Sequence, residues 1–178
     1  MKTFSTFLER ISSWKSLLIF LFIYILFNGY ILKKSANKID ELAGKSVGII
    51  DLTVGFNPQK TLTMAAGYGD ARSYYARTEM TTDVVYPIIY AFLFGIILSL
   101  LYRGNTLVWV NILPFICLLL DYLENLTIIT LLYSYPRQSL TVATLCEIFK
   151  LMKWITFGSV VLLMIIGLVS KIIIWTKR

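Results

Sequence analysis

The chain reads as an all-α integral membrane protein, a four-helix bundle with a partly helical non-cytoplasmic segment between its first and second helices. Three observations predict this. Of 178 residues, 57% are hydrophobic and 15% charged, and the mean hydropathy is +0.73, too apolar for a water-soluble domain of this length. Four stretches, about 16–32, 84–102, 107–133 and 151–175, approach the roughly 20 apolar residues needed to cross a hydrocarbon layer about 30 Å thick. None alternates with a period of two, so helices rather than barrel strands satisfy the backbone where lipid offers no partner. No repeat, low-complexity tract or flexible linker divides the sequence, and residues 1–178 form one membrane domain.

Each element has a local reason. Phe4, Phe7, Leu8 and Ile11 fall at helical spacing ahead of Trp14, which suggests a short amphipathic helix lying in the membrane interface. Basic Lys2, Arg10 and Lys15 precede the first span as they would a secretory signal, but NGYILKKSANK offers no small-x-small cleavage site, so the span is expected to be retained. Within the segment 33–82, Asn57 and Pro58 supply an N-cap and a first-turn proline for a helix through QKTLTMAAGYG. Gly67 and Gly69 should stop it, and Asp70 should cap the next. GIIDLTVGF reads as an extended piece, with Asp51 expected to meet Arg72 or another base. Arg72, Tyr75, Glu79, Asp83, Tyr86 and Tyr90 then recur at steps of three or four, one polar and aromatic stripe on the second helix. Pro87 should kink that helix or mark its start, freeing a carbonyl beside the stripe. RGNT turns the second span into the third, and YSYPRQS turns the third into the fourth. Gly95 and Gly158 are expected to let helices approach closely.

The strongest functional clue is the interruption of the apolar run 107–133 by Asp121, Glu124 and Asn125, at i, i+3 and i+4 on one helical face. Counting outward from Arg137, Glu124 and Lys150 are each thirteen residues away, and Asp121 and Lys153 each sixteen. A hairpin in that register predicts two salt bridges, Glu124 to Lys150 and Asp121 to Lys153. The same counting about RGNT brings Asp83 level with Glu124 and Asn125. If this level is the bilayer boundary, the apolar arms 126–135 and 139–149 project beyond it and need cover, which the segment 33–82 can supply. The candidate cluster is therefore Arg72, Tyr75, Asp83, Tyr86, Asp121, Glu124, Asn125, Lys150 and Lys153. Interhelical lock and ligand site are both open readings of it.

Other classes are excluded by composition. The net charge of +7 is scattered, a membrane-surface and topology charge with no nucleic-acid footprint, and the basic N-terminus and tail favour cytoplasmic termini. The absence of histidine argues against His-held haem, the commoner zinc centres and His acid–base chemistry, and neither metal nor cofactor is expected. Cys117 and Cys146 lie at unequal distances from the hairpin turn, so no disulfide is expected. There is no nucleophile elbow, phosphate loop or kinase motif, although paired carboxylates can in principle run acid–base chemistry. The functional expectations are a module that binds a small amphipathic, cationic or hydroxylated lipid-like ligand or a membrane-protein partner; a lipid-modifying enzyme using the carboxylates; or a structural subunit of a membrane complex.

The string GYGDARSYYARTEMTTDVVYPIIYAFLFG, followed by DYLENLTIITLL and a fourth span preceded by lysine, resembles a family of small four-span bacterial membrane proteins to which no activity is attached. The likeness runs from Asp51 to about Lys153. It implies the four-helix fold, a bacterial inner-membrane location and the grouping of Arg72, Tyr75, Asp83, Tyr86, Pro87, Asp121, Glu124 and Asn125, and it implies no reaction. The chain is more loosely similar to the four-helix sterol isomerase and sigma-2 receptor group, which bind amphipathic amines or sterols with intramembrane acids. The histidine that the isomerases use is missing here.

Overall fold

The structure, a computed structural model, describes residues 2–176 and is all-helical, with no strand among them. Four helical stretches are long and apolar enough to cross a membrane: Trp14–Ala43, Gly69–Leu101, Val108–Ser134 and Leu140–Thr176. A short helix precedes them. In this helix, α1 (Lys2–Ile11), Ser5 and Leu8 are buried while Phe4 and Phe7 are exposed, so the helix forms where the apolar spacing predicts it but its buried face is not the predicted apolar one. Phe4 meets Phe115 edge-on at 4.8 Å, and the Arg103 guanidinium donates to the carbonyls of Glu9 and Ser12. These contacts put the N-terminal segment at the same end of the molecule as the 103–106 turn.

Ser13 caps the next helix by accepting from the Ser16 amide at 3.1 Å. Here α2 (Trp14–Leu26), a π-helical turn (Phe27–Leu32) and α3 (Lys33–Ala43) run on as one stretch. The helix thus outlasts the apolar span 16–32, because KKSANKIDELA forms a helical turn series of its own and buries Ile39. Gly44, at φ +68°, ends it in the left-handed region that suits glycine. The expected extended piece contains a 3-10 turn at Ile50–Leu52, and α4 (Pro58–Gly67) starts where Asn57 accepts from the Lys60 amide at 2.9 Å. Asp70 lies in a 3-10 turn, and its side chain makes no cap for α5 (Arg72–Leu101).

That helix runs unbroken through Pro87. A proline has no N–H to give the carbonyl four residues earlier, here Asp83. The Asn125 side-chain amide donates to that carbonyl at 3.1 Å, and the Tyr122 hydroxyl donates to the adjacent Val84 carbonyl at 2.7 Å. The third long helix, α6 (Leu113–Ser134), therefore repairs the second. It folds back into α7 (Leu140–Thr176), and α5, α6 and α7 pack on one another, whereas α2 leans on α5.

Two apolar cores result. An inner one joins Tyr90, Leu93, Phe94 and Leu98 of α5 to Cys117 and Val160. An outer one joins Ile128, Leu131 and Leu132 of α6 and Ala143 and Cys146 of α7 to Ile39, Ile50, Ala65 and Tyr68. The segment between the first two long helices thus covers the apolar α6–α7 hairpin, as expected. Gly95 permits a close approach, since a Cβ there would meet the Asn111 carbonyl and Phe115 at 3.2 Å. Gly158 does not, having open space beside it; the close approach on α7 is at Gly167, where a Cβ would lie 3.0 Å from Leu101 and Tyr102. Hydropathy cannot separate the two, because both glycines sit in equally apolar runs.

Candidate functional site

Between the two cores lies a layer of charge. Lys153 of α7 is buried with its ammonium 2.5 Å from Glu124 Oε2 and 3.2 Å from Asp121 Oδ1, both on α6. Asp121 also accepts from the Tyr90 hydroxyl of α5 at 2.9 Å, so three helices meet at one carboxylate. Glu124 is fully buried, and its Oε1 has no hydrogen-bond partner among the described residues. Glu79, one turn ahead of Asp83 on α5, is likewise buried with Oε2 unpartnered.

A cavity of about 550 Å³ opens onto this layer. Its walls come from α2 and the π turn (Tyr24, Asn28, Leu32), α3 (Lys33, Ser35, Ala36, Ile39), the 49–52 strip, α5 (Tyr75, Thr78, Asp83, Tyr86, Tyr90), α6 (Cys117, Asp121) and α7 (Lys153, Trp154, Phe157). Tyr86 holds the first helix to α5: it stacks on Tyr24 at 5.9 Å, and Asn28 Nδ2 donates to its hydroxyl at 2.9 Å. At the outer end, the Tyr75 hydroxyl receives the Ile50 amide at 3.1 Å and faces Asp51 Oδ1 at 3.5 Å, while Trp154 Nε1 donates to the Asp51 carbonyl at 3.4 Å. Burial pushes the half-buried Asp51 carboxyl above the usual carboxylate range; the Lys153 charge opposes this and that of Asp121 adds to it. The cavity thus presents three carboxylates, Asp51, Asp83 and Asp121. Lys153 is committed to Asp121 and Glu124, and Lys33 is exposed.

The sequence-derived cluster is only partly assembled. Tyr75, Asp83, Tyr86, Asp121 and Lys153 line the cavity, and Glu124 sits behind it through Lys153. Asn125 faces the other side of α5, where it satisfies the Asp83 carbonyl and borders a second groove. The expected bridge from Glu124 to Lys150 is not formed. Lys150 instead pairs with Glu147, one turn earlier on its own helix, and donates to the Thr53 hydroxyl at 2.6 Å. Counting along a hairpin fixes depth but not which partner a side chain takes: Lys150 and Lys153 leave α7 about 60° apart, and the Glu147 carboxylate on the same helix captures Lys150 while Lys153 reaches both acids of α6. Arg72 is also outside the cluster. It lies eleven residues ahead of Asp83, about 16 Å along a helix. Its guanidinium covers the Tyr135 ring at 3.8 Å and donates to the Ala66 carbonyl at 3.2 Å, so it does not meet Asp51 either.

Several members were not anticipated. Glu147 accepts from the Asn57 amide at 2.8 Å, the Thr61 hydroxyl and Lys150, and so anchors α4 to α7. Its signal was available as an acid three residues ahead of a lysine in an apolar arm. Asn28, a lone amide in an otherwise apolar span, was equally visible. The contribution of Trp154 and Leu52 had no sequence signal. Among the described residues, no group of three His, Cys, Asp or Glu side chains is placed to hold a metal ion, and Cys117 and Cys146 are free and buried. No protein-family model matches this chain, and no curated protein or solved structure is significantly similar to it.

Proposed function

We propose that this is a four-span integral membrane protein whose carboxylate-lined cavity binds a small amphipathic molecule, with a cationic or hydroxylated head among Asp51, Asp83 and Asp121. The apolar part would lie along Tyr24, Leu32 and Phe157. The observation that carries this reading is the cavity itself, within the usual ligand-pocket range of about 300–1,000 Å³ and lined mostly by apolar and aromatic groups with a few convergent polar ones. The ion pair of Lys153 with Asp121 and Glu124 also locks α6 to α7, so the ligand reading rests on Asp51 and Asp83, whose carboxylates have no cationic hydrogen-bond partner among the described residues. The layer stands near one bilayer boundary, and the basic N-terminal segment and tail support cytoplasmic termini in a bacterial inner membrane, with the segment 33–82 on the opposite face.

Native mass spectrometry of the protein extracted in a mild detergent tests this. A small-molecule adduct is expected on the parent chain and should be lost or strongly reduced in Asp83→Asn and Asp51→Asn. A bare parent chain, or an adduct indifferent to both substitutions, would overturn the reading and leave a structural role for the charged layer.

A further inference from the structure

The cavity is walled on one side by α2 and its π turn and on another by α7, two helices with few close backbone approaches to each other. Phe20 and Tyr24 hold α2 to α5 through Phe92, Tyr86 and Phe94. Phe157 of α7 reaches the same Phe94, at 5.7 Å. Among the described residues, no hydrogen bond, ion pair or ring contact joins the first long helix directly to α7. Toward the loop end the cavity is roofed: Ile49, Asp51 and Leu52 line it, and the Trp154 indole ties that strip to α7. Of the lining residues, Asn28 on the π turn and Trp154 on α7 are exposed, and the neighbouring faces of both helices are exposed and apolar, with Ile25 and Ile155 each about three-fifths accessible. A mouth bordered by such surfaces meets acyl chains, not water.

We propose that the cavity fills from within the bilayer, through the gap between α2 and α7, so that its ligand is a membrane-resident amphiphile that moves in sideways rather than a water-borne solute. This rests on the reading that the cavity holds a ligand. A molecule taking this route slides its head along the membrane boundary to Asp83 and Asp51 while its chain stays in the mouth beside Phe157. The π turn at Phe27–Leu32 places Asn28 at the edge of the opening, where its hydrogen bonds to Tyr86 brace the wall that the ligand passes.

The route is tested without knowing the ligand. In phosphatidylcholine vesicles, a variant whose single tryptophan is Phe157→Trp, with Trp14, Trp109, Trp154 and Trp175 changed to Phe, should be quenched by lipids with brominated acyl chains. Quenching should reach at least half that of a single-tryptophan Ile165→Trp control on the outer surface. Acrylamide in the water should quench it several-fold less than a Val54→Trp control. Acrylamide quenching equal to the Val54→Trp control, or no bromine effect, would overturn the route.

Because removal of four tryptophans can impair folding, a second measurement uses Cys117, which lines the cavity, in a Cys146→Ala background. Membrane-soluble N-phenylmaleimide should modify Cys117 at least tenfold faster than a sulfonate-bearing methanethiosulfonate. Equal rates, or protection from both reagents, would overturn the proposal. Quenching by lipid with no adduct in mass spectrometry would leave the side opening standing and remove the ligand.

Discussion

At the scale of single residues, the polar side chains fall into two groups with different duties. Asn125 repairs the hydrogen bond that Pro87 removes from the Asp83 carbonyl. Asn125→Leu should therefore cost about 1–3 kcal/mol, the range for leaving a buried polar group unsatisfied. In a Pro87→Ala background the backbone N–H returns, and the same substitution should cost measurably less. A double-mutant cycle on thermal unfolding in detergent checks this coupling. Lys153 is different, because it neutralises two carboxylates at once. Lys153→Met should destabilise by about 3–5 kcal/mol, the range for breaking a buried pair and stranding its charge. A loss below about 1 kcal/mol in the same assay would mean that Asp121 and Glu124 do not depend on it.

At the scale of elements, the α6–α7 hairpin is the frame on which the others are hung. Glu147 ties the start of α4 to it through a backbone amide and a hydroxyl, with Lys150 as its counter-charge. Glu147→Ala should speed amide exchange across 57–61 by about tenfold or more while leaving the inner core protected, since a charged hydrogen bond contributes about 1.5–3 kcal/mol. Hydrogen-exchange mass spectrometry resolves those two regions. The helix crossing at Gly167 gives a sharper contrast. Glycine to alanine in a helix gains about 1 kcal/mol where there is room. Gly158→Ala should thus be neutral or stabilising, and Gly167→Ala should lower the melting temperature because Leu101 and Tyr102 occupy the space.

At the scale of the whole molecule, a charged layer is held between two apolar cores, and its outer lid is the 49–52 strip. Asp51 links that lid to pH. Burial raises its folded-state pKa, so the native chain holds the proton more tightly than the unfolded one. Stability should fall as pH rises from the ordinary carboxylate value through the raised folded value. Asp51→Asn should consequently melt higher than the parent above that window, and the two curves should converge in acid, below the ordinary carboxylate range. Parallel curves at every pH would show that Asp51 is not desolvated by the lid.

What could be read directly from the residues follows from local rules. Run length and composition gave four long apolar helices, capping chemistry gave the start of α4 at Asn57 and Pro58, and loop counting set Asp83 level with Asn125 and Asp121 opposite Lys153. An apolar hairpin too long for its span announced that the segment between the first two long helices would cover it.

Direction around a helix axis was another matter. Residues at one depth were divided by the packing of α5 against α6 and of α6 against α7, which turned Lys153 to the acids, Lys150 to Glu147 and Asn125 to the far side of α5. The cavity lies where α2 leans mainly on α5 and, among the described residues, makes no hydrogen bond, ion pair or ring contact with α7, an outcome of how several side-chain surfaces fit at once. Periodicity and charge are properties of one segment and can be read along it. The gap between two segments is a property of neither, and only the folded arrangement decided it.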